Sequence, residues 1–195
     1  MAHTSVQAVA QHRQHSATRQ VLLVAGASLL MAILARFSMP LPFTPVLLSL
    51  SNLGVLLIGL TLGSRLGAAA LLLYLAEGAM GLPVFSSGGP GGIAQILGPT
   101  GGFLMAYPVA AFIAGLISEK GQRSVVRFSL AAFAAEIVIF AGGVTWLMSL
   151  THVAFAQAIH WGVYPFAFFE IIKILLAVGG SLRLQRSSKL SGLVG

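Results

Sequence analysis

Long apolar segments separated by short polar connections constrain this chain more than any other feature of its sequence. Each segment approaches the ~20 residues that cross the hydrocarbon core of a bilayer as a helix, and the shorter ones are accommodated by local thinning of the bilayer or by protein-lined cavities. The sequence therefore predicts an all-α integral membrane protein, a bundle of six transmembrane helices. The predicted spans are 20–37, 46–62, 66–81, 101–118, 128–148 and 165–184.

The low charge content agrees with this prediction. Only 8% of the residues are charged and 57% are hydrophobic, whereas a soluble domain carries about 25% charged residues. The chain has no cysteine, which excludes disulfides and thiolate metal sites. A net charge of +7 would suit a protein that binds a polyanion such as nucleic acid, but the basic residues flank the apolar segments. That distribution is typical of membrane topology, so lipid rather than nucleic acid is the expected surrounding.

Basic residues mark one side of the predicted bundle, whereas the opposite side carries only Arg36. Because cytoplasmic loops are enriched in lysine and arginine, both termini are expected in the cytoplasm of a multi-pass protein of the cell (plasma) membrane. Residues 1–19 are polar and lack an apolar signal core, so we interpret them as a cytoplasmic tail or short interfacial helix, and 20–195 as a single transmembrane domain. The basic residues of the cytoplasmic side are Arg13, Arg19, Arg65, Lys120, Arg123, Arg127, Arg183, Arg186 and Lys189.

Three of the four acidic residues lie inside predicted spans. Glu119 is the exception, since it follows the fourth span beside a lysine and needs no special role. An ionisable residue inside a membrane is costly and usually faces the bundle interior, where it is a candidate functional residue. Glu77 either joins an outer cavity or reaches the surface, and Glu136 receives no role from its sequence context. The third acid is Glu170.

The segment FFEIIKILL, residues 168–176, places Glu170 three positions before Lys173, so the two share one face of a helix. One interpretation is an internal ion pair that neutralises two buried charges. The other is a ligand site, in which the ammonium receives an anion and the carboxylate accepts N–H donors. The ligand site is favoured because leucines in place of both charged residues would avoid the cost of burying them. The pair also lies in the outer third of the sixth span.

A glycine-rich connection, LPVFSSGGPGGIAQILGPT, joins the third and fourth spans. It lacks the terminal Gly-Lys-Ser/Thr of a phosphate-binding P-loop, and no nucleophile–base pair or metal-ligand spacing occurs in the chain, so an enzyme is not expected. We interpret the connection as a conformable lid over an outer pocket, with Gln95 as its main hydrogen-bonding side chain.

Polar and small residues interrupt the first two spans. The amide of Asn52 either bonds across helices or binds a ligand. Small residues four apart, Ser28 with Ala32 and Gly59 with Gly63, permit close helix packing within the bundle or against another membrane protein.

Three segments together resemble a known family. They are PLPFTPVLLSLSNLGVLLIGLTLGSRLGAAALLLYLAEGAMGLPVF at 40–85, GPTGGF at 98–103, and the pattern formed by Pro165, Phe166, Glu170 and Lys173. Their order and spacing resemble the biotin-specific S component, the BioY family, of energy-coupling-factor (ECF) vitamin transporters. The likeness covers most of the chain beyond residue 19.

This resemblance implies a six-helix bundle with an outward-facing biotin site that the outer loops cap. It implies biotin uptake with biotin as the transported ligand and no cofactor. The implied partners are a transmembrane coupling protein (T component) and two ABC-type ATPases, which would hydrolyse ATP. Members of the family dock the coupling protein through small residues of the first helix, and the nearest matches here are Ser28 and Ala32.

The resemblance also implies a set of biotin-binding residues. Glu170, Asn52 and Gln95 are candidates for the ureido group, while Lys173 neutralises Glu170 or binds a ligand oxygen. Where the family usually has Gln-Thr and aspartate, this chain has Ser51-Asn52 and Glu170, so the ligand is biotin or a close relative such as dethiobiotin. The remaining polar candidates are Thr44, in the first outer connection, and Ser51, in the second span. Phe85, Tyr107 and Trp146 are the candidates for the apolar walls of the site.

Overall fold

The computed structural model describes the backbone of residues 2–120 and 124–191 and the side chains of 17–120 and 124–184. The regular secondary structure within these ranges is helical, apart from one short antiparallel strand pair in which Ser38 faces Ser49. The elements in chain order are α1 (Ala2–Arg36), β1 (Ser38–Met39), β2 (Leu48–Ser49), α2 (Ser51–Leu62), α3 (Ser64–Ala79), α4 (Gly92–Leu97), α5 (Gly101–Glu119), α6 (Val125–Thr151), α7 (Phe155–Gly162) and α8 (Ala167–Ser191).

A helix occupies each predicted apolar segment, but α8 continues to Ser191 beyond the predicted end at 184, and the starts of two helices also differ. α2 begins at Ser51 rather than at residue 46, because the preceding residues leave the helical path and pair as β2 with β1. The prolines at 40, 42 and 45 lack the backbone N–H that a helix requires, so the chain stays extended before α2. At the other boundary, α1 begins at Ala2 and makes residues 2–19 continuous with the first apolar helix.

Length and composition identify three helices in the described ranges that can cross a membrane: Ala17–Arg36, Gly101–Glu119 and Val125–Thr151. A fourth span arises if α7 and the 167–184 part of α8, bent by 54° at the break between them, count as one. α2 has 12 residues and α3 has 16, which correspond to about 18 and 24 Å of helix against a hydrocarbon core of ~30 Å. The predicted total of six spans therefore stays a prediction.

Small residues bring the central helices close together. α5 packs against α6, α3 and α2, and its contact faces are made largely of alanine and glycine. Large apolar side chains point away from the bundle instead, on a surface that suits lipid because tight packing in a membrane relies on small residues and not on hydrophobic exclusion. Examples of the outward side chains are Leu130, Phe133 and Ile137 of α6 and Ile171 and Leu175 of α8.

The Gly59–Gly63 pattern serves packing within the bundle. A Cβ atom at Gly59 would lie 2.8 Å from the carbonyl oxygen of Ala111 on α5, so only glycine permits this approach. Gly63 lies at the α2–α3 junction with a φ of +83°, in the left-handed region that favours glycine. Of the two roles that the sequence left open for this pattern, the structure shows the internal one.

Glu119 caps the start of a neighbouring helix. Its Oε1 accepts a hydrogen bond from the backbone N–H of Ser64 at 2.6 Å, and the Ser64 hydroxyl lies 3.1 Å from Oε2. No side chain next to the N-terminus of α3 supplies a cap. The carboxylate at the end of α5 therefore satisfies donors that would otherwise lack a helical partner and places a negative charge at the positive end of the α3 dipole. The sequence alone suggested no role for this residue.

We expect Glu119→Ala to destabilise the protein by about 1 kcal/mol, the usual cost of losing an N-terminal cap. Thermal unfolding of the purified protein in detergent measures the change. Lys120→Ala, at the adjacent exposed position, is the matched control and should unfold at the parental temperature. Equal melting of both variants and the parent would contradict the capping role.

Candidate functional site

A small cavity lies at the end of the bundle where α2, α5 and α8 begin. It encloses about 50 Å³, enough for a few water molecules but below the ~300 Å³ at which small-molecule pockets start. Aromatic side chains form much of its wall, and its polar groups come from α2, α4, α5, α8 and the segments between helices. The polar side chains around it are Ser49, Ser51, Asn52, Ser86, Gln95, Thr100, Tyr107, Glu170 and Lys173.

Glu170 and Lys173 form an ion pair that faces this cavity. Lys173 Nζ lies 2.7 Å from Glu170 Oε1, and each residue is 5% exposed. The i,i+3 spacing on α8 puts both side chains on one face, as the sequence predicted. Glu170 Oε2 has no hydrogen-bond partner among the described residues. The pair therefore neutralises two buried charges and still leaves an acceptor.

The amide of Asn52 joins three helices. Its Oδ1 accepts a hydrogen bond from the hydroxyl of Tyr107 on α5 at 3.2 Å, and its Nδ2 donates to Glu136 Oε2 on α6 at 3.2 Å. A hydroxyl donor on one side and a carboxyl acceptor on the other fix the orientation of the amide. Asn52 also lines the cavity. It thus bonds across helices, as one of its two predicted roles requires, and does so at the edge of the candidate ligand site.

Glu136 is the member of this network whose role sequence reasoning missed. It is 4% exposed, and its Oε1 has no partner within the part of the chain that the structure describes. Glu136 and Glu170 border one groove between α6 and α8, so the Asn52 network and the ion pair form one polar cluster. The available signal was the presence of a third acid within a span, which marks a functional candidate without naming its partners.

Gln95 anchors the glycine-rich connection beside the cavity. It is 2% exposed, its Nε2 donates to Ser86 Oγ at 2.5 Å, and its Oε1 accepts from the Gly91 N–H at 3.1 Å. A Cβ at Gly89 would meet the Gln95 amide at 2.6 Å, so the loop backbone lies directly on this side chain. The connection contains α4, and the buried amide of Gln95 holds it together beside the cavity.

Three predicted ligand residues do not line the cavity. Thr44 donates to the carbonyl oxygen of Trp161 at 2.7 Å and thereby ties the first connection to α7. Phe85 packs edge-on against Tyr74, with ring centroids 5.3 Å apart, and forms a layer behind the cavity wall. Trp146 donates from Nε1 to the carbonyl oxygen of Gly98 at 2.9 Å and holds the segment before α5. All three fix the surroundings of the cavity.

The two residues predicted to dock a partner differ in exposure. Ser28 is fully buried, and its hydroxyl donates to Glu77 Oε2 at 2.6 Å. The bond joins α1 to α3, so Glu77 neither lines the cavity nor stands free at the surface. Ala32 is half-buried, while the exposed side of α1 carries Leu29 and Ile33.

Similarity to known proteins extends over nearly the whole chain. A family model described as the BioY family matches residues 5–189. A relative from Pyrococcus horikoshii, described as a probable biotin transporter BioY, is 42% identical over 167 residues, which cover 86% of this chain and 96% of the relative. The biotin transporter BioY2 of Lactococcus lactis is 34% identical and covers 89% of this chain and 94% of its own.

The fold also has a counterpart among solved structures. The S-component for biotin from an ECF-type ABC transporter, known from a crystal structure, superposes with a TM-score of 0.81 at 25% sequence identity, over 88% of this chain and 93% of that one. The apolar helices and these similarities identify an integral protein of the cell membrane. Because the family model covers the cavity-lining helices as well as the rest of the bundle, the protein belongs to the BioY family.

Proposed function

We propose that the protein is the high-affinity substrate-binding subunit, or S component, of an ECF-type vitamin transporter and takes up biotin from outside the cell. The relatives from P. horikoshii and L. lactis and the biotin S-component structure support this assignment. The observation that carries it is the cavity in which the Glu170–Lys173 pair presents a free carboxylate oxygen. The protein is a transporter subunit and not an enzyme.

The chemistry of the cavity suits a cyclic urea. The ureido group of biotin offers two N–H donors and one carbonyl acceptor, and its fused rings are otherwise largely apolar. Glu170 Oε2 accepts one N–H in the proposed complex, while Lys173 or a neighbouring hydroxyl donates to the carbonyl oxygen. The aromatic side chains that line the cavity supply apolar walls, as small-molecule pockets generally require. They are Tyr74, Phe103, Tyr107, Phe140 and Phe166.

Entry of the ligand requires the lid to move. A cavity of about 50 Å³ is too small for a bicyclic vitamin with an acyl chain. In this proposal the moving part is the glycine-rich connection, whose residues Ser86, Gln95 and Thr100 line the cavity and whose glycines permit a change of backbone conformation. Its opening enlarges the cavity towards the same side, while the internal contacts of Gln95 with Ser86 and Gly91 hold the connection together.

The proposed topology has six spans, with both termini and residues 2–19 in the cytoplasm and the cavity facing outward. The distribution of basic residues supports it. The short helices α2 and α3 then lie within the bundle, where protein and not lipid covers their ends.

Transport needs partners that supply energy. We propose a T component and two ABC-type ATPases, by analogy with the ECF-type transporter to which the solved S-component belongs. The docking surface is the side of α1 that includes Ala32. Ser28 contributes only indirectly, by holding α1 against α3 through its hydrogen bond to Glu77.

Equilibrium binding of tritiated biotin to the purified full-length protein tests this function. We expect saturable binding that unlabelled biotin displaces. Dethiobiotin keeps the ureido ring and should compete, whereas lipoate has an acyl carboxylate but no ureido group and should not. Absence of saturable biotin binding would contradict the proposal. Tighter competition by dethiobiotin than by biotin itself would change the assigned substrate.

A further inference from the structure

Two buried carboxyl oxygens in the polar cluster lack hydrogen-bond partners among the described residues. They are Glu136 Oε1 and Glu170 Oε2. α6 packs against α8, and the two carboxyl residues, one on each helix, border the same groove between them. A buried acceptor without a donor is costly, and two adjacent acceptors are especially so because both carry negative charge when ionised. One proton placed between them would satisfy both.

The charges around the pair also require one proton. Lys173 is the cation that faces it, and it is already paired with Glu170 Oε1. α2 contributes the neutral Asn52, and α5 contributes Tyr107. The side chains of α7 that border the groove beside the pair, Phe155 and Ile159, are apolar, and so is Val163 directly after the helix. Two ionised carboxylates with one ammonium would leave a net negative charge buried in a membrane bundle, which is strongly unfavourable.

We propose that Glu136 holds a proton and donates it from Oε1 to Glu170 Oε2, so that Glu136 positions both Glu170 and Asn52 for the ligand. The biotin-dependent part of this inference rests on the proposed function. The proton is placed on Glu136 because Glu170 already accepts from the Lys173 ammonium at 2.7 Å, whereas Glu136 receives only a neutral amide N–H from Asn52. Glu170 Oε2 keeps a second lone pair for a ligand N–H.

The sign of the pH effect follows from this arrangement. At low and neutral pH the proton is present, and the cluster of one acid, one carboxylate and one ammonium is neutral. As pH rises the proton is lost, the two carboxylates repel each other, and Lys173 and Asn52 are drawn from their positions. Biotin affinity should therefore fall with rising pH. The carboxyl group of biotin does not contribute, since it is ionised throughout a range from pH 6 to 9.

Infrared difference spectroscopy detects the proton without any ligand. We expect the parent protein at neutral pH to show the carbonyl band of a protonated carboxylic acid, and Glu136→Gln to lack it. Glu77→Gln is the matched control, because Glu77 is another carboxyl residue within an apolar helix but bonds to Ser28 outside the cavity. It should keep the band. A parent protein without an acid band would overturn the proposal, as would a band that Glu136→Gln leaves unchanged.

Biotin binding at a series of pH values supplies the functional readout. The glutamine in Glu136→Gln imitates the protonated acid, since its oxygen accepts from Asn52 and its NH₂ donates to Glu170. We expect the affinity of the parent for biotin to fall roughly tenfold between pH 6 and 9. The affinity of Glu136→Gln should not change with pH, and Glu77→Gln should show the parental dependence. Glu136→Leu should bind weakly at every pH. A parental slope in Glu136→Gln would contradict the positioning role.

The two readouts separate failure of this inference from failure of the proposed function. If the parent shows the acid band but binds no biotin at any pH, the proton pair stands and the ligand assignment falls. If the parent binds biotin but has no acid band, the ligand assignment stands and the proton between Glu136 and Glu170 is ruled out. Should Glu136→Gln fail to fold, the parent alone tests the inference. Its acid band must then disappear over the same pH range in which its affinity for biotin falls.

Discussion

Lys173→Ala should weaken biotin binding by a factor of roughly 10 to 150, because charge-assisted hydrogen bonds contribute about 1.5–3 kcal/mol each. The substitution removes the ammonium that lies 2.7 Å from Glu170 Oε1. It also leaves a carboxylate buried without its partner, which costs about 3–5 kcal/mol in typical proteins. Equilibrium binding of tritiated biotin, with circular dichroism and thermal unfolding on the same sample, measures both effects.

A neutral replacement of both partners separates ligand binding from packing. Glu170→Gln combined with Lys173→Met removes both charges while nearly keeping the side-chain volumes, so the fold should retain most of its stability. We expect this double variant to unfold near the parental temperature and to bind biotin as weakly as Lys173→Ala. Parental affinity in a stable double variant would show that the pair only fixes the register of α8, which is the alternative structural interpretation.

Gly115→Ala should destabilise the protein by about 3 kcal/mol or more, at the upper end of overpacking effects. A Cβ at this position would lie 2.1 Å from the backbone nitrogen of Ser64 and 2.3 Å from the carbonyl carbon of Gly63. Backbone atoms at a helix start cannot move away as a flexible side chain can, so α3 must shift as a whole. The shift also separates Ser64 from the Glu119 cap. Thermal unfolding and the yield of folded protein measure the loss.

Gly179→Ala is the matched control for this prediction. Gly179 lies on an exposed part of α8, and a Cβ there would have no neighbour within 4 Å. Because alanine also favours helix over glycine, the control should unfold at or above the parental temperature. If both glycine variants behaved alike, close approach of α3 to α5 would not be what requires glycine at 115.

Helix positions were largely predictable because they depend on local composition. An apolar segment in a membrane has to satisfy its own backbone hydrogen bonds, and a helix does so within the segment. The start of α2 was wrong by five residues, since the pairing of β2 with β1 joins two stretches that lie apart in sequence. The extension of α1 back to Ala2 could not be read from an apolar pattern either, as its first residues are polar.

In the candidate site, too, some contacts followed from local spacing in the sequence and others did not. Glu170 and Lys173 were assigned to one face because a helix fixes the relation of residues three apart. The contact of Asn52 with Glu136 joins residues 84 positions apart, and the burial of Ser28 against Glu77 joins residues 49 apart. Which side of each helix faces which neighbour depends on packing of all helices together, so these contacts had no local signal.

The sequence by itself determined the membrane environment, the helical class and the local charge pair, because each follows from composition or from spacing along one helix. Only the tertiary structure decided that Asn52 links Tyr107 to Glu136, that Glu136 and Glu170 border one groove, and that Glu119 caps α3. The physical reason is that a buried polar group takes whichever partner packing places beside it. In this bundle, packing placed two acids and one lysine in one cluster.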